Sequence, residues 1–137
     1  VAALPYAGLP LATAACIVGG YPMIYPRKEP KDHGRRLAIE GPFEYGETAV
    51  VVDDLATRGT SVLEALPSLT AAGLHVHDVV VLVDRQSGAT ARLAERGLRL
   101  HAVATMRQLL SHWRDNGAVS TTQVDDVLRF LDESAAE

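Results

Sequence analysis

Short valine-rich runs alternate with amphipathic stretches along most of the chain. Ala49-Val50-Val51-Val52 is too short for a helix and rich in β-branched residues, so it predicts a buried strand over Thr48–Val52. Further strands follow over His77–Val83 and Arg99–Ala104, and a short one near Pro22–Tyr25. Apolar residues at helical spacing predict helices over Leu9–Val18, Ser61–Ala72, Thr90–Arg96, Met106–Asp115 and Thr121–Ser134. Gly73 and Gly97 close the second and third of these as C-terminal caps. Pro67 is expected to interrupt the second helix, because proline has no N–H to donate and its ring crowds the preceding turn. Strands alternating with helices argue for an α/β fold, a mainly parallel sheet flanked by helices.

The central strand runs into Asp53-Asp54-Leu55-Ala56-Thr57-Arg58-Gly59-Thr60-Ser61. Two carboxylates are thus expected at the carboxyl end of a parallel strand, where ligands bind in open α/β sheets. The turn that follows offers successive backbone N–H groups, three hydroxyls and a glycine able to take positive φ, just ahead of a helix. Such a turn can wrap a phosphate, since the orphan N–H groups and dipole of a helix N-terminus favour anions. Carboxylates repel phosphate but accept hydrogen bonds from sugar hydroxyls. Acid pair and phosphate nest together point to a ribose 5-phosphate. Taken one at a time, the same residues also serve as a strand end and a Thr60 or Ser61 helix cap. A Walker loop is excluded, because Arg58 precedes Gly59 and no lysine follows it.

A second segment, Tyr25-Pro26-Arg27-Lys28-Glu29-Pro30-Lys31-Asp32-His33-Gly34-Arg35-Arg36, packs cations and a histidine between prolines and a glycine. The prolines argue against a helix or inner strand, so a long loop over about residues 26–46 is expected. Long loops in compact domains are often functional lids. A basic lid suits a polyanion, because cations placed where charge develops lower a barrier and a closed lid excludes water. An ordinary solvated charged loop is the alternative.

The Asp53–Ser61 stretch resembles the motif by which type I phosphoribosyltransferases bind 5-phosphoribosyl-1-pyrophosphate, PRPP. The lid, Arg27-Lys28-Glu29-Pro30-Lys31-Asp32-His33-Gly34, is similar to that of the orotate phosphoribosyltransferases. Leu4–Thr13 resembles the family's pyrophosphate-side loop entering a helix, and Val83-Asp84-Arg85-Gln86 its strand carrying a base-binding arginine. Gly97–Val103 echoes the last strand of the version found in bifunctional UMP synthases. The resemblance implies transfer of phosphoribosyl from PRPP to orotate, giving orotidine 5′-monophosphate and pyrophosphate in pyrimidine nucleotide biosynthesis. It assigns PRPP binding to Arg27, Lys28, Lys31, His33, Asp53, Asp54, Leu55, Ala56, Thr57, Arg58, Gly59, Thr60 and Ser61. Lys31, His33, Asp53 and Asp54 carry the catalytic roles, and Thr57 and Arg85 hold orotate. Arg85 as a plain strand-end ion pair is the alternative. Magnesium is implied as cofactor, bound chiefly through PRPP oxygens and water, with no direct protein ligand assigned. A homodimer whose lid reaches the partner's site is also implied, as is an N-terminal region ahead of Val1 that contributes to the orotate pocket. Ala7 stands where many relatives carry lysine. Arg58 fills a position more often small, and is expected to point to solvent.

At 137 residues with 47% hydrophobic content, the chain is sized for a single domain over 1–137. A net charge of −4 argues against a nucleic-acid binder, and no apolar run is long enough to cross a membrane. Cys16 reads as a buried helical thiol in a cytoplasmic protein. His75, His77, His101 and His112 lack the spacing of a zinc site. Two other readings stay open: a phosphoribosyltransferase for another base, and a PRPP-binding regulatory protein without turnover.

Overall fold

The computed structural model describes residues 1–27 and 39–136. Its elements are β1 (Ala2–Ala3), α1 (Gly8–Gly19), β2 (Tyr25–Pro26), β3 (Ile39–Glu40), β4 (Thr48–Ala56), α2 (Thr60–Ala71), β5 (His75–Asp84), α3 (Ala89–Ala94), β6 (Arg99–Thr105), α4 (Met106–Asp115) and α5 (Thr121–Ala136). A four-stranded sheet in the order β1-β4-β5-β6 is parallel throughout, as the alternation of runs predicts, and β2 and β3 form a separate antiparallel pair. Helix α1 packs on β1 and β4, α2 on β5, and α3 on β6.

The core is aliphatic. Val51, Val79 and Val81 from the inner strands meet Val62 and Leu69 of α2 and Leu93 of α3. A second small cluster, Leu110, Val124 and Leu131, joins α4 to α5. Cys16 is buried in α1.

Several boundaries differ from the sequence reading. Strand β4 continues past Val52 to Ala56, because Asp53, Leu55 and Ala56 pair with Val81, Val83 and Asp84 of β5. The acids therefore lie within the strand. Pro67 does not break α2, which runs through it. Proline removes one helical hydrogen bond, and burial of Val62 and Leu69 on either side of it holds the helix on the sheet. The helix ends as expected, with Gly73 at φ +83° and the Leu74 N–H donating to Leu69 O at 3.1 Å. Strand β1 carries no periodic signal, being too short for one, and exists because Ala2 and Ala3 pair with Val51 and Val52.

Candidate phosphate and ribose site

Parallel pairing brings the carboxyl ends of β1, β4 and β5 to one edge of the sheet, so the loops leaving them share a neighbourhood. Successive strand residues face opposite sides, and the two acids of β4 differ accordingly. Asp53 is buried, 8% exposed, and its Oδ1 accepts the Asp54 N–H at 2.9 Å. Asp54 is half-buried, and its carboxylate takes no partner among the described residues. Helix α1 comes in close over this point. A Cβ on Gly8 would lie 2.7 Å from Val52 O and 3.3 Å from Asp53 Oδ1, so only glycine admits the approach. The Pro5–Tyr6 peptide in the loop before it is cis.

Beyond Ala56 the chain turns through Thr57 and Arg58 to Gly59, whose φ of +68° makes it the left-handed N-cap residue of α2. No side chain caps this helix, so neither Thr60 nor Ser61 acts as the cap. Among the described residues the backbone N–H groups of Gly59, Thr60 and Ser61 have no backbone acceptor. Open donors at a helix start are the anion-binding arrangement that the loop composition predicts. Leu55 is exposed, Ala56 buried and Thr57 half-buried.

Arg85 follows β5 directly, and its N–H donates to Ala56 O at 2.9 Å. The two residues assigned to orotate, Thr57 and Arg85, therefore flank one backbone hydrogen bond. Gln86, next to Arg85, has φ +60°, and its N–H donates to Asp84 Oδ1 at 2.8 Å. Its Oε1 is a buried acceptor without a partner among the described residues. The sequence marks Gln86 only as part of the Val83–Gln86 stretch, since neither its backbone conformation nor its orphan oxygen has a sequence signal.

Arg27 leaves β2 and donates through Nη1 to Glu40 Oε1 of β3 at 2.6 Å. It also lines a cleft of about 320 Å³ with Leu4, Pro5, Ser61 and Glu64. One residue from each of the two motifs, Arg27 and Ser61, thus lines the same cleft. Lys28, Lys31 and His33 lie outside the described residues. Ile39 is buried and Phe43 packs against the core, so the later part of the 26–46 segment is attached to the domain. Arg58 departs from its expected solvent position. It is half-buried, and its Nη2 reaches Ser134 O near the end of α5 at 3.4 Å, a contact across 76 positions that no local pattern encodes.

Among the described residues, no group of three or more His, Cys, Asp or Glu side chains could hold a metal ion, and no helix is long and apolar enough to cross a membrane.

A mainly parallel sheet flanked by helices, with an acid-bearing strand that runs through a glycine-containing loop into a helix, is the type I phosphoribosyltransferase fold. No model of a known protein family matches the chain. It is 44% identical over 123 residues to the bifunctional enzyme PyrF/PyrE of Nostoc sp., covering 90% of this chain and 26% of that one. It is 40% identical over 135 residues to the uridine 5′-monophosphate synthase of Bos taurus, covering 98% and 28%. Among solved structures, Leishmania donovani UMP synthase superposes with a TM-score of 0.88 at 42% identity over 96% of this chain and 28% of that one. Mycobacterium tuberculosis orotate phosphoribosyltransferase in complex with PRPP gives 0.68 at 31% identity over 79% and 63%. The chain belongs to the orotate phosphoribosyltransferase family. It spans about a quarter of the length of the two curated relatives just described.

Proposed function

We propose that this chain transfers phosphoribosyl from PRPP to orotate, releasing pyrophosphate and forming orotidine 5′-monophosphate in pyrimidine biosynthesis. The observation that carries this reading is the run of amides at Gly59–Ser61, without a backbone acceptor among the described residues, in the loop that follows the acid pair and the Ala56 carbonyl to which the Arg85 N–H donates. The amides and the Thr57, Thr60 and Ser61 hydroxyls hold the 5-phosphate. Asp54 accepts the ribose hydroxyls, with Asp53 fixing the strand beside it. Arg85 pairs with the orotate carboxylate, a task suited to its planar fork.

In the reaction, orotate N1 bonds to ribose C1 from the face opposite pyrophosphate. The C1–O bond breaks with its electron pair leaving on pyrophosphate, and the N1 proton passes to solvent. Positioning and charge stabilisation suffice, with no covalent intermediate on the protein. Arg27, Lys28, Lys31 and His33 gather around the departing pyrophosphate, and in a homodimer the lid serves the partner's site. The described residues hold no cluster of three or more candidate metal ligands, which fits a magnesium ion that would arrive on PRPP oxygens and keep its waters, leaving Asp54 to the ribose hydroxyls. When bound, such an ion would neutralise charge on the pyrophosphate. A cytoplasmic setting accords with the lone buried thiol of Cys16.

The test is loss of orotate absorbance with PRPP and magnesium, with pyrophosphate release measured in parallel and uracil and adenine as controls. Orotate-specific turnover is expected. Turnover of another base would reassign the substrate, and PRPP binding without turnover of any base would make the chain a sensor.

A further inference from the structure

We propose that Arg92 is a positioning residue for the phosphate loop, holding the Arg58–Gly59 peptide so that the Gly59 N–H is presented to the ligand. This inference rests on the ribose-phosphate reading of the loop and adds to it a residue from a different element. Arg92 lies on α3, and its Nη1 donates to the carbonyl oxygen of Arg58 at 3.1 Å. It has no acidic partner among the described residues, so this cation spends its hydrogen bond on a neutral main-chain oxygen.

The choice of that oxygen has a geometric consequence. The Arg58–Gly59 peptide is trans, so its C=O and N–H point in opposite directions. Anchoring the carbonyl to Arg92 turns the Gly59 N–H away from α3, and that N–H is one of the loop donors without a backbone acceptor among the described residues. A charged donor on the carbonyl also polarises the peptide and strengthens its N–H as a donor in turn. The adjacent residue grips the same point from below. Leu93 is fully buried, and a Cβ on Gly59 would meet its Cγ at 3.0 Å. Helix α3 therefore fixes both the height of Gly59, through Leu93, and the rotation of its peptide, through Arg92.

The experiment measures orotate and PRPP kinetics of the full chain carrying Arg92→Ala or Arg92→Lys, together with the amide resonance of Gly59 in the ligand-free protein. Arg92→Ala is expected to raise the KM for PRPP about tenfold, the scale of one lost charge-assisted hydrogen bond, while kcat stays within about twofold. The Gly59 amide resonance moves in that variant before any ligand is added. Arg92→Lys, whose ammonium can reach the same carbonyl, restores both. An unchanged KM in Arg92→Ala would overturn the proposal. So would a raised KM with an unmoved Gly59 resonance, which would make Arg92 a direct contact to the ligand's charge. If the wild-type chain bound no PRPP at all, the ribose-phosphate reading would fail first, and this inference with it.

Discussion

Asp53 and Asp54 are neighbours in the chain and differ in everything that matters for a ligand. Burial and the Asp54 N–H occupy Asp53, while the Asp54 carboxylate takes no partner among the described residues. Asp54→Asn should therefore raise the KM for PRPP about tenfold, since an amide accepts hydroxyl hydrogen bonds less strongly than a carboxylate. Steady-state kinetics check this, and an unaltered KM would remove Asp54 from the ribose site. Gly8 is a second test at single-residue resolution. Helix propensity alone would make Gly8→Ala stabilising by about 1 kcal/mol. A Cβ only 2.7 Å from Val52 O forces backbone to move, at a cost of about 1–3 kcal/mol, so net destabilisation in urea unfolding is expected. The acid pair was legible from sequence because its chemistry sits in contiguous residues. The role of Gly8 was not, since it depends on a strand 44 positions away in the chain lying beneath it.

Helices α4 and α5 show how much of an element is written locally. Thr105 and Gln108 exchange hydrogen bonds at the start of α4, 3.2 Å from Gln108 N to Thr105 Oγ1 and 2.8 Å in return. Ser120 and Gln123 repeat the arrangement before α5. Each pair is a capping box, and Thr105→Ala or Ser120→Ala should cost about 1 kcal/mol in chemical denaturation. Such starts, and the glycine ends at Gly73 and Gly97, are readable because caps involve residues three or four apart. The extent of β4 is not. Its apolar run stops at Val52, and the strand continues to Ala56 only because β5 supplies partners for its backbone. The continuity of α2 across Pro67 is likewise decided by what the helix packs on.

The sheet as a whole brings together groups from strands that are distant in sequence. Parallel pairing of β5 with β6 sets Asp78 opposite Arg99, with His101 Nε2 at 2.7 Å and Arg99 Nη2 at 2.9 Å from its carboxylate oxygens. The hydrogen bond with His101, and then that from Arg99, hold the Asp78 carboxyl below its ordinary pKa of 3.8. A carboxyl with a lowered folded pKa contributes stability that is fully present above the ordinary value and lost as pH falls through the lowered one. Unfolding midpoints measured below pH 3.8 should thus drop with acid, and less steeply in Asp78→Asn; parallel curves would show that the pair contributes nothing. The sequence alone determined the α/β alternation, the hydroxyl-rich turn after the central strand with its positive-φ glycine and the arginine after β5, because each is a property of neighbouring residues. Only the tertiary structure decided that Arg27 and Ser61 line one cleft, that Arg58 turns to α5 and not to solvent, and that Arg92 grips the loop. Those contacts join residues far apart in the chain, and strand order and register fix them.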